Sequence, residues 1–127
     1  MQRLEGIYYK DTGEKGRGVY TGRMLKKSDV IEICPVIVMP PHEIELIDKT
    51  VMYNYYFLWE HGQAAIALGY GSLYNHSFNP NAEYVMDFEE QTIIVKAIRN
   101  ISPHEEITFN YNGDPGDRDK LWFEVNE

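Results

Sequence analysis

The chain alternates between short runs of strand-forming residues and clusters of glycine, proline, asparagine and aspartate, and this spacing limits the folds open to it. Short apolar runs that turn residues separate at close intervals are typical of a mostly β domain. With 127 residues the chain can bury one hydrophobic core and hardly two. Because we find no repeat, linker or low-complexity tract, the sequence predicts one mostly β domain over residues 1–127.

Two of the predicted strands carry further expectations. Pro35 directly follows the run 30–34, and because proline lacks an N–H group, we expect this strand to lie at an edge or to end early. The run 92–98 is apolar almost throughout, which favours a strand buried on both faces. The full set of predicted strands is 6–9, 18–21, 30–34, 55–59, 64–68, 83–88, 92–98 and 107–111.

Helical signals are few. Pro41 can open a short helix over residues 42–50, because its fixed φ suits the first helical turn. Asp117 can cap a last helix near the end of the chain. The apolar side chains of this second helix are Leu121, Trp122 and Phe123.

The charge of the chain is acidic and uneven. The formal net charge is −8, and residues 83–127 hold eleven acidic but only four basic side chains. Direct nucleic-acid binding is not expected, because phosphate recognition needs clustered lysine and arginine. A basic peptide is the better-matched partner. The alternative is that the negative charge only keeps a small protein soluble.

The cysteine content and the hydropathy limit which covalent, metal-binding and membrane features the chain can have. Cys34 is the single cysteine, so we expect neither an intrachain disulfide nor a cysteine-based zinc site, and the four histidines are too scattered to suggest any other metal site. The apolar runs are too short to cross a bilayer, and residues 1–10 lack a signal-peptide core. These features predict an intracellular protein with no membrane partner.

Three separated segments could carry chemistry. They are Gly16-Arg17-Gly18, residues 75–81 (NHSFNPN) and residues 105–111 (EEITFNY). The glycine pair by itself indicates only a tight turn or a close backbone approach. The second segment places several hydrogen-bonding side chains among apolar neighbours, and buried polar groups need partners that a polar ligand could supply. An ordinary polar loop is the alternative.

Together and in this order, the three segments resemble the signature motifs of the SET domain of protein lysine methyltransferases. Residues 75–81 match the Asn-His-Ser/Cys-x-Pro-Asn motif with one additional residue before the proline. The stretch 65–71 (AIALGYG) is most similar to the minimal, stand-alone SET proteins of viruses and bacteria. The resemblance implies a β-clip fold of small curved sheets with short helices and a C-terminal pseudoknot. It also implies a core of about residues 13–113, followed by a lid over 114–127.

The resemblance further implies S-adenosylmethionine as cofactor and transfer of its methyl group to the ε-amine of a protein lysine. Tyr111 matches the catalytic tyrosine, and Tyr56 matches a second tyrosine at the channel and cofactor. The implied cofactor-binding residues are Gly16, Arg17, Gly18, Tyr56, Asn75, His76, Tyr111 and Trp122, with Phe123 as an alternative to Trp122 against the adenine. The implied lysine channel adds Tyr70, Tyr84 and Phe109; simple core packing is the alternative for Tyr56, Tyr70 and Tyr84.

The resemblance implies less about the substrate and the oligomeric state. Family and charge favour a histone tail or another basic lysine-bearing protein, which would place the protein in the cytoplasm or with nuclear chromatin. A phenyl ring at Phe109 leaves room for di- or trimethylation, unless the Tyr84 hydroxyl takes that space. The lid comes from residues 114–127 or from a second subunit, so a homodimer is possible. The second functional class is a non-catalytic SET-like module that binds peptide or cofactor.

Overall fold

Nine strands in two sheets form the framework of residues 2–121, the part of the chain that the computed structural model describes. One α-helix and two 3₁₀ turns, Val51–Asn54 and Gly71–Leu73, connect them. The mostly β prediction is therefore confirmed. The elements are β1 (Ile7–Asp11), β2 (Arg17–Thr21), β3 (Val30–Met39), α1 (Pro41–Ile47), β4 (Phe57–Leu58), β5 (Ala64–Ala67), β6 (Asn75–His76), β7 (Ala82–Asp87), β8 (Thr92–Ala97) and β9 (Glu106–Phe109).

The first sheet, in the order β1-β2-β9-β6, brings the three sequence motifs side by side. Strand β2 pairs antiparallel with β9, with Val19 opposite Ile107. On the other side of β9 lies β6, which runs parallel to it and sets His76 opposite Phe109. This two-residue strand was not predicted, because its asparagine and histidine are not strand formers. The pairing of β6 with β9 brings the second and third motifs into contact, as expected for the C-terminal pseudoknot.

The second sheet, in the order β4-β5-β3-β8-β7, corrects the prediction made from Pro35. Strand β3 neither ends at Cys34 nor lies at an edge; it continues to Met39 through the proline. Its first half pairs with β8 as far as Pro35, and its second half pairs with β5 from Val36 onward. The proline thus lies where the strand changes partner, and there a missing N–H group removes no bond from either ladder.

Strand β8 is buried on one face rather than on both. Ile93, Val95 and Ala97 are at most 3% exposed, whereas the alternate residues Ile94 and Lys96 are half-buried. Because a lysine keeps its charged amine in water, Lys96 shows that this face of the strand is open to solvent. The largest buried cluster lies between the two sheets and contains Ile7, Val19, Leu25, Ile31, Tyr74, Ala82, Val95, Ala97, Ile101, Ile107 and Phe109.

The first helix prediction is confirmed in part, and the second is not. Helix α1 begins at Pro41, as expected, but ends at Ile47, and a 3₁₀ turn capped by the Thr50 side chain follows it. Residues 117–121 are irregular, so the predicted helix after Asp117 is wrong over this stretch. Trp122 and Phe123 lie outside the described residues. Within residues 2–121, neither α1 nor the short turns are long and apolar enough to span a membrane.

Candidate active site

Gly18 lies at the point where the three motifs meet. A Cβ atom at this position would lie 2.5 Å from Glu106 Oε2 and 2.9 Å from Asn75 Nδ2. The Asn75 side-chain amide donates to the carbonyl of Arg17 at 3.0 Å and to Glu106 Oε2 at 2.8 Å. Only a residue without a side chain therefore fits between these two groups.

The loop before Gly18 is held on one side and open on the other. Lys15 Nζ lies 2.7 Å from Glu106 Oε1, in an ion pair that ties the β1–β2 loop to β9. Gly16 has a φ of +74°, and no atom lies within 4 Å of the place that a Cβ would take. A positive φ strains any residue with a side chain, which explains this glycine. The side of Gly16 on which a Cβ would lie is open to a ligand, while the Gly16 carbonyl accepts from Thr12 N–H at 2.7 Å.

Tyr111 is fixed at both ends by the segment that contains the histidine. Its backbone N–H donates to His76 Nδ1 at 2.9 Å, and its hydroxyl donates to the carbonyl of Tyr74 at 2.6 Å. The rings of His76 and Tyr111 also pack edge to face, with centroids 5.3 Å apart. These contacts join the second and third motifs and hold the tyrosine side chain in one orientation.

An aromatic cluster surrounds Phe109, which is 1% exposed. Its ring centroid lies 4.8 Å from that of Tyr84, 5.3 Å from that of Tyr74 and 5.9 Å from that of Tyr111. The Tyr84 hydroxyl donates to the carbonyl of Tyr111 at 3.0 Å. Phe109 therefore supports the tyrosines from the core side.

A cleft of about 780 Å³ opens beside this cluster. Its lining includes Tyr84 and Tyr111 but not Phe109, which lies beneath the surface. The other tyrosines of the lining are Tyr55, Tyr56 and Tyr74. The cleft thus combines apolar rings with hydroxyl groups, a lining suited to a long side chain with a polar tip.

Burial keeps the tyrosine hydroxyls of the cleft protonated. Desolvation raises the pKa of Tyr84 to about 12. The pKa of Tyr111 is raised further, first by burial and then by the negative charge of Glu106. Both groups therefore act as hydrogen-bond donors at neutral pH, and neither supplies a phenolate.

The two tyrosines at residues 55 and 56 differ in their surroundings. The hydroxyl of Tyr56, the predicted second channel tyrosine, donates to Asp48 Oδ1 at 2.8 Å, beyond the end of α1. Burial and this hydrogen bond raise the pKa of Tyr56 to about 12. Tyr55, by contrast, is close enough to contribute to the raised pKa of Tyr111. The sequence analysis passed over Tyr55, although the close spacing of Tyr53, Tyr55 and Tyr56 could have pointed to it.

Tyr70 lies outside this group. The Arg3 guanidinium lies 3.7 Å above the centre of its ring, and the Tyr9 ring packs against it edge to face at 5.3 Å. Tyr70 does not belong to the lining of the cleft. Trp122, predicted to stack on adenine, lies outside the described residues. Within residues 2–121, no three metal-ligating side chains come together.

Sequence reasoning missed three residues that hold the site together: Lys15, Glu32 and Tyr74. Lys15 carries no local signal, because its partner Glu106 lies 91 residues away. Glu32 does carry one: a carboxylate in the middle of an apolar strand is unusual unless it is paired. Tyr74 directly precedes Asn75, and its 1% exposure could not be foreseen from its neighbours.

Comparison with known proteins agrees with this geometry. The sequence pattern of the SET domain matches residues 16–112. A histone-lysine N-methyltransferase of Schizosaccharomyces pombe, specific for H3 lysine-37, is 34% identical over 116 residues, which cover 91% of this chain and 75% of that protein.

Two solved structures resemble the fold. A Plasmodium falciparum protein assigned as a histone methyltransferase superposes with a TM-score of 0.65 and 29% identity, covering 85% of this chain and 98% of its own. A chain from work on the product specificity of histone lysine methyltransferases gives a TM-score of 0.74. That chain is 19% identical, with coverage of 95% of this chain and 57% of its own, and its likeness supports the fold alone. The motifs, their convergence and these matches together establish that the chain belongs to the SET-domain family of protein-lysine methyltransferases.

Proposed function

We propose that this methyltransferase uses S-adenosylmethionine to methylate a lysine ε-amine of a basic protein, with Tyr111 as the catalytic tyrosine. The observation that carries the proposal is the placement of Tyr111. Its side chain lines the cleft, while its backbone and hydroxyl are bonded to the segment 74–76. A reaction of this kind needs alignment of two reactants more than it needs a nucleophile on the protein.

The residues around Gly18 fit the proposed cofactor. The open side of Gly16 lets a ligand approach the start of β2, and the absence of a side chain at Gly18 lets Asn75 lie close to the same backbone. Arg17 and Gly18 would hold the methionine part through backbone groups, and Asn75 and His76 would hold it from the facing strand. When bound, S-adenosylmethionine supplies an electrophilic methyl group on a sulfonium ion.

The cleft can prepare a lysine amine for attack. A free lysine has a pKa of about 10.4, and only the neutral amine is a nucleophile. The aromatic lining removes water from the lysine side chain, and desolvation favours its neutral form. The hydroxyl of Tyr111, bonded to the Tyr74 carbonyl, would orient the amine. Carbonyl oxygens near the cleft would stabilise the polarised methyl group of a bound cofactor through weak C–H···O contacts. Tyr56 belongs to the same lining, with its hydroxyl bonded to Asp48.

The degree of methylation depends on Phe109 and Tyr84. Phe109 lies beneath the lining and carries no hydroxyl, so it brings no polar group or bound water to the amine, and we propose that di- or trimethylation is allowed. The Tyr84 hydroxyl is already bonded to the Tyr111 carbonyl, which supports this proposal. The mass of the product formed at long reaction times tests it. Monomethyl-lysine as the sole product of the native enzyme would contradict it.

Tyr111→Phe tests the catalytic assignment. We expect the rate of methyl transfer to a basic peptide to fall about 100-fold or more, because the orienting hydroxyl is lost. Cofactor affinity, measured by calorimetry, should change little. Tyr9→Phe is the matched control, since Tyr9 is 49% exposed and lies outside the cleft. Cofactor binding without transfer to any protein tested would instead favour a non-catalytic module.

A basic substrate such as a histone tail is supported by the charge near the cleft. Phe88 lines the cleft, and the exposed Glu89 and Glu90 follow it directly. The related S. pombe protein is named for a histone lysine. If the substrate is a histone, the protein works in the nucleus or wherever chromatin lies; for other basic proteins we propose an intracellular location.

Salt dependence tests this electrostatic recruitment. We expect kcat/KM toward a lysine-rich peptide to fall about tenfold between low and high salt, because screening weakens steering. Glu89→Gln should reduce kcat/KM at low salt, whereas Glu5→Gln, an exposed control away from the cleft, should not. If the rate did not respond to salt, the negative charge would serve only to keep the protein soluble.

The lid is proposed to come from the chain itself. Asn110 Nδ2 donates to the carbonyl of Asp117 at 2.6 Å, and Asn112 Nδ2 donates to that of Asp119 at 2.9 Å. These bonds turn the tail back so that Lys120 and Leu121 join the lining of the cleft. A lid from a second subunit stays a prediction, which sedimentation of the active enzyme tests: activity at concentrations where only monomer is present would contradict it.

A further inference from the structure

Glu32 is a buried carboxylate that the reaction as described does not use. It lies in β3 and is 2% exposed. Its Oε1 accepts from the Tyr74 hydroxyl at 2.7 Å, and its Oε2 accepts from the Tyr70 backbone N–H at 3.0 Å. Arg3 Nη1 lies 3.4 Å from the same Oε2 and is the ion-pair partner. A buried carboxylate with this many donors is held in place, and it holds them in turn.

The carboxylate fixes both ends of one turn. Tyr70 precedes the 3₁₀ turn Gly71–Leu73, and Tyr74 follows it, so the two hydrogen bonds from Glu32 bracket the turn. Gly69 is explained by the same packing, because a Cβ there would lie 2.4 Å from Glu32 Oε2. A Cβ at Gly71 would instead lie 2.5 Å from Ala67 Cβ and 3.1 Å from Cys34 Sγ.

Tyr74 connects this turn to the reactive tyrosine. Its hydroxyl donates to Glu32, while its own carbonyl accepts the hydroxyl of Tyr111 at 2.6 Å. The side chain of Tyr74 is 1% exposed and packs on Phe109, with ring centroids 5.3 Å apart. A shift of the Tyr74 ring therefore moves the carbonyl to which Tyr111 is bonded.

We propose that Glu32 is a positioning residue for methyl transfer: through Tyr74 it fixes the carbonyl that orients the Tyr111 hydroxyl. The inference rests on the proposed catalytic role of Tyr111. It also gives Gly69 of the stretch 65–71 a purpose, since the missing side chain lets the turn approach the carboxylate closely. Because Glu32 does not line the cleft itself and reaches its lining through Tyr74, its effect should fall on the chemical step and not on cofactor affinity.

Two variants and one control test the inference. Tyr74→Phe removes a single hydroxyl, and Glu32→Gln keeps the shape of the side chain. Both should lower kcat at saturating peptide about 10- to 100-fold, which is the loss that small misplacements in a reactive geometry produce. The dissociation constant of S-adenosylmethionine, measured by calorimetry, should change less than about twofold. Arg3→Gln, which keeps the bonds of Glu32 to Tyr70 and Tyr74, should leave kcat near that of the native enzyme.

The hydrogen-bond chain has a second readout that does not require activity. In protein labelled with ¹³C at tyrosine Cζ, the Tyr111 resonance, assigned with Tyr111→Phe, should shift in Tyr74→Phe and Glu32→Gln but not in Arg3→Gln. In the double variant Glu32→Gln/Tyr74→Phe, the fall in kcat should not exceed that of the more impaired single variant, because both act through one bond.

The positioning role of Glu32 and the proposed function are overturned by different outcomes. An unshifted Tyr111 resonance in Tyr74→Phe, or a fall in kcat as large for Arg3→Gln as for Glu32→Gln, overturns the positioning role. A native enzyme that binds S-adenosylmethionine but transfers nothing overturns the proposed function instead. In that case the shifts of the Tyr111 resonance still decide whether Glu32 positions it.

Discussion

At the scale of single residues, the sequence predicts which side chains matter better than it predicts what they touch. Gly18, Asn75 and Tyr111 could be chosen from motif spacing alone. Gly18 packs against Asn75, and Tyr111 is bonded to the neighbouring His76. Tyr70 could not be separated from Tyr84 in this way, because both are tyrosines close to a motif. Only the fold shows that Tyr70 packs on Arg3, while Tyr84 lines the cleft.

Gly18→Ala tests the packing at the meeting point of the motifs. The new methyl group would press on Glu106 and Asn75, whose side chains are bonded to each other and cannot both withdraw freely. We expect a loss of about 1–3 kcal/mol in the free energy of unfolding and weaker cofactor binding, because overpacking forces neighbours off their positions. Urea denaturation and calorimetry measure the two effects.

The control for this substitution is Gly22→Ala at the exposed turn after β2. There the nearest atom to an added Cβ, the carbonyl oxygen of Gly6, is 3.4 Å away, which is ordinary contact. Stability and cofactor affinity should both stay near the native values. Equal effects of the two substitutions would mean that the crowding at Gly18 has no special consequence.

At the scale of elements, most strands could be predicted and their partners could not. Periodicity and turn residues located β1, β2, β5, β7 and β8 to within a few residues. The continuation of β3 through Pro35 depends on a change of partner, which is a long-range event. Likewise β6 exists only because β9 lies beside it, since two polar residues have no strand preference of their own.

Asn81→Ala tests how the motif segment 75–81 is anchored to β9. Asn81 is 2% exposed; its Oδ1 accepts from Thr108 N–H at 2.9 Å, and its Nδ2 donates to the Glu106 carbonyl at 2.7 Å. Alanine leaves a buried donor and acceptor unpaired, which should reduce the free energy of unfolding by about 2–4 kcal/mol. Chemical denaturation measures it.

Asn79→Ala is the matched control, since this asparagine belongs to the same segment but is exposed. It should change the free energy of unfolding by about 0.5 kcal/mol or less, as surface substitutions usually do. If Asn81→Ala were equally mild, water would have to replace the lost amide, and the anchor would not matter for stability.

At the scale of the whole molecule, the tyrosines of the cleft connect the candidate site to the stability of the fold. Tyr74, Tyr84 and Tyr111 occupy the boundary between the core and the cleft, and burial raises the pKa of each above the ordinary value of 10. Neutral hydroxyls in this position are what an orienting role requires. Composition alone showed an excess of tyrosine; only the assembled sheets show that three of these rings meet at one cleft.

The same shifts predict alkaline instability. A tyrosine whose pKa is higher in the folded than in the unfolded state contributes stability that is complete below pH 10 and is lost as pH rises through the folded value. For Tyr84, with a folded pKa of about 12, the loss falls between pH 10 and about 12, at up to about 1.4 kcal/mol per pH unit.

Urea denaturation at pH 9 and pH 11 should therefore show a less stable protein at pH 11. In Tyr84→Phe the difference should shrink by about 1 kcal/mol, whereas Tyr9→Phe, at an exposed position, should retain it. An unchanged difference in Tyr84→Phe would mean that this hydroxyl ionises as readily in the folded chain as in the unfolded one, and that the cleft does not exclude water.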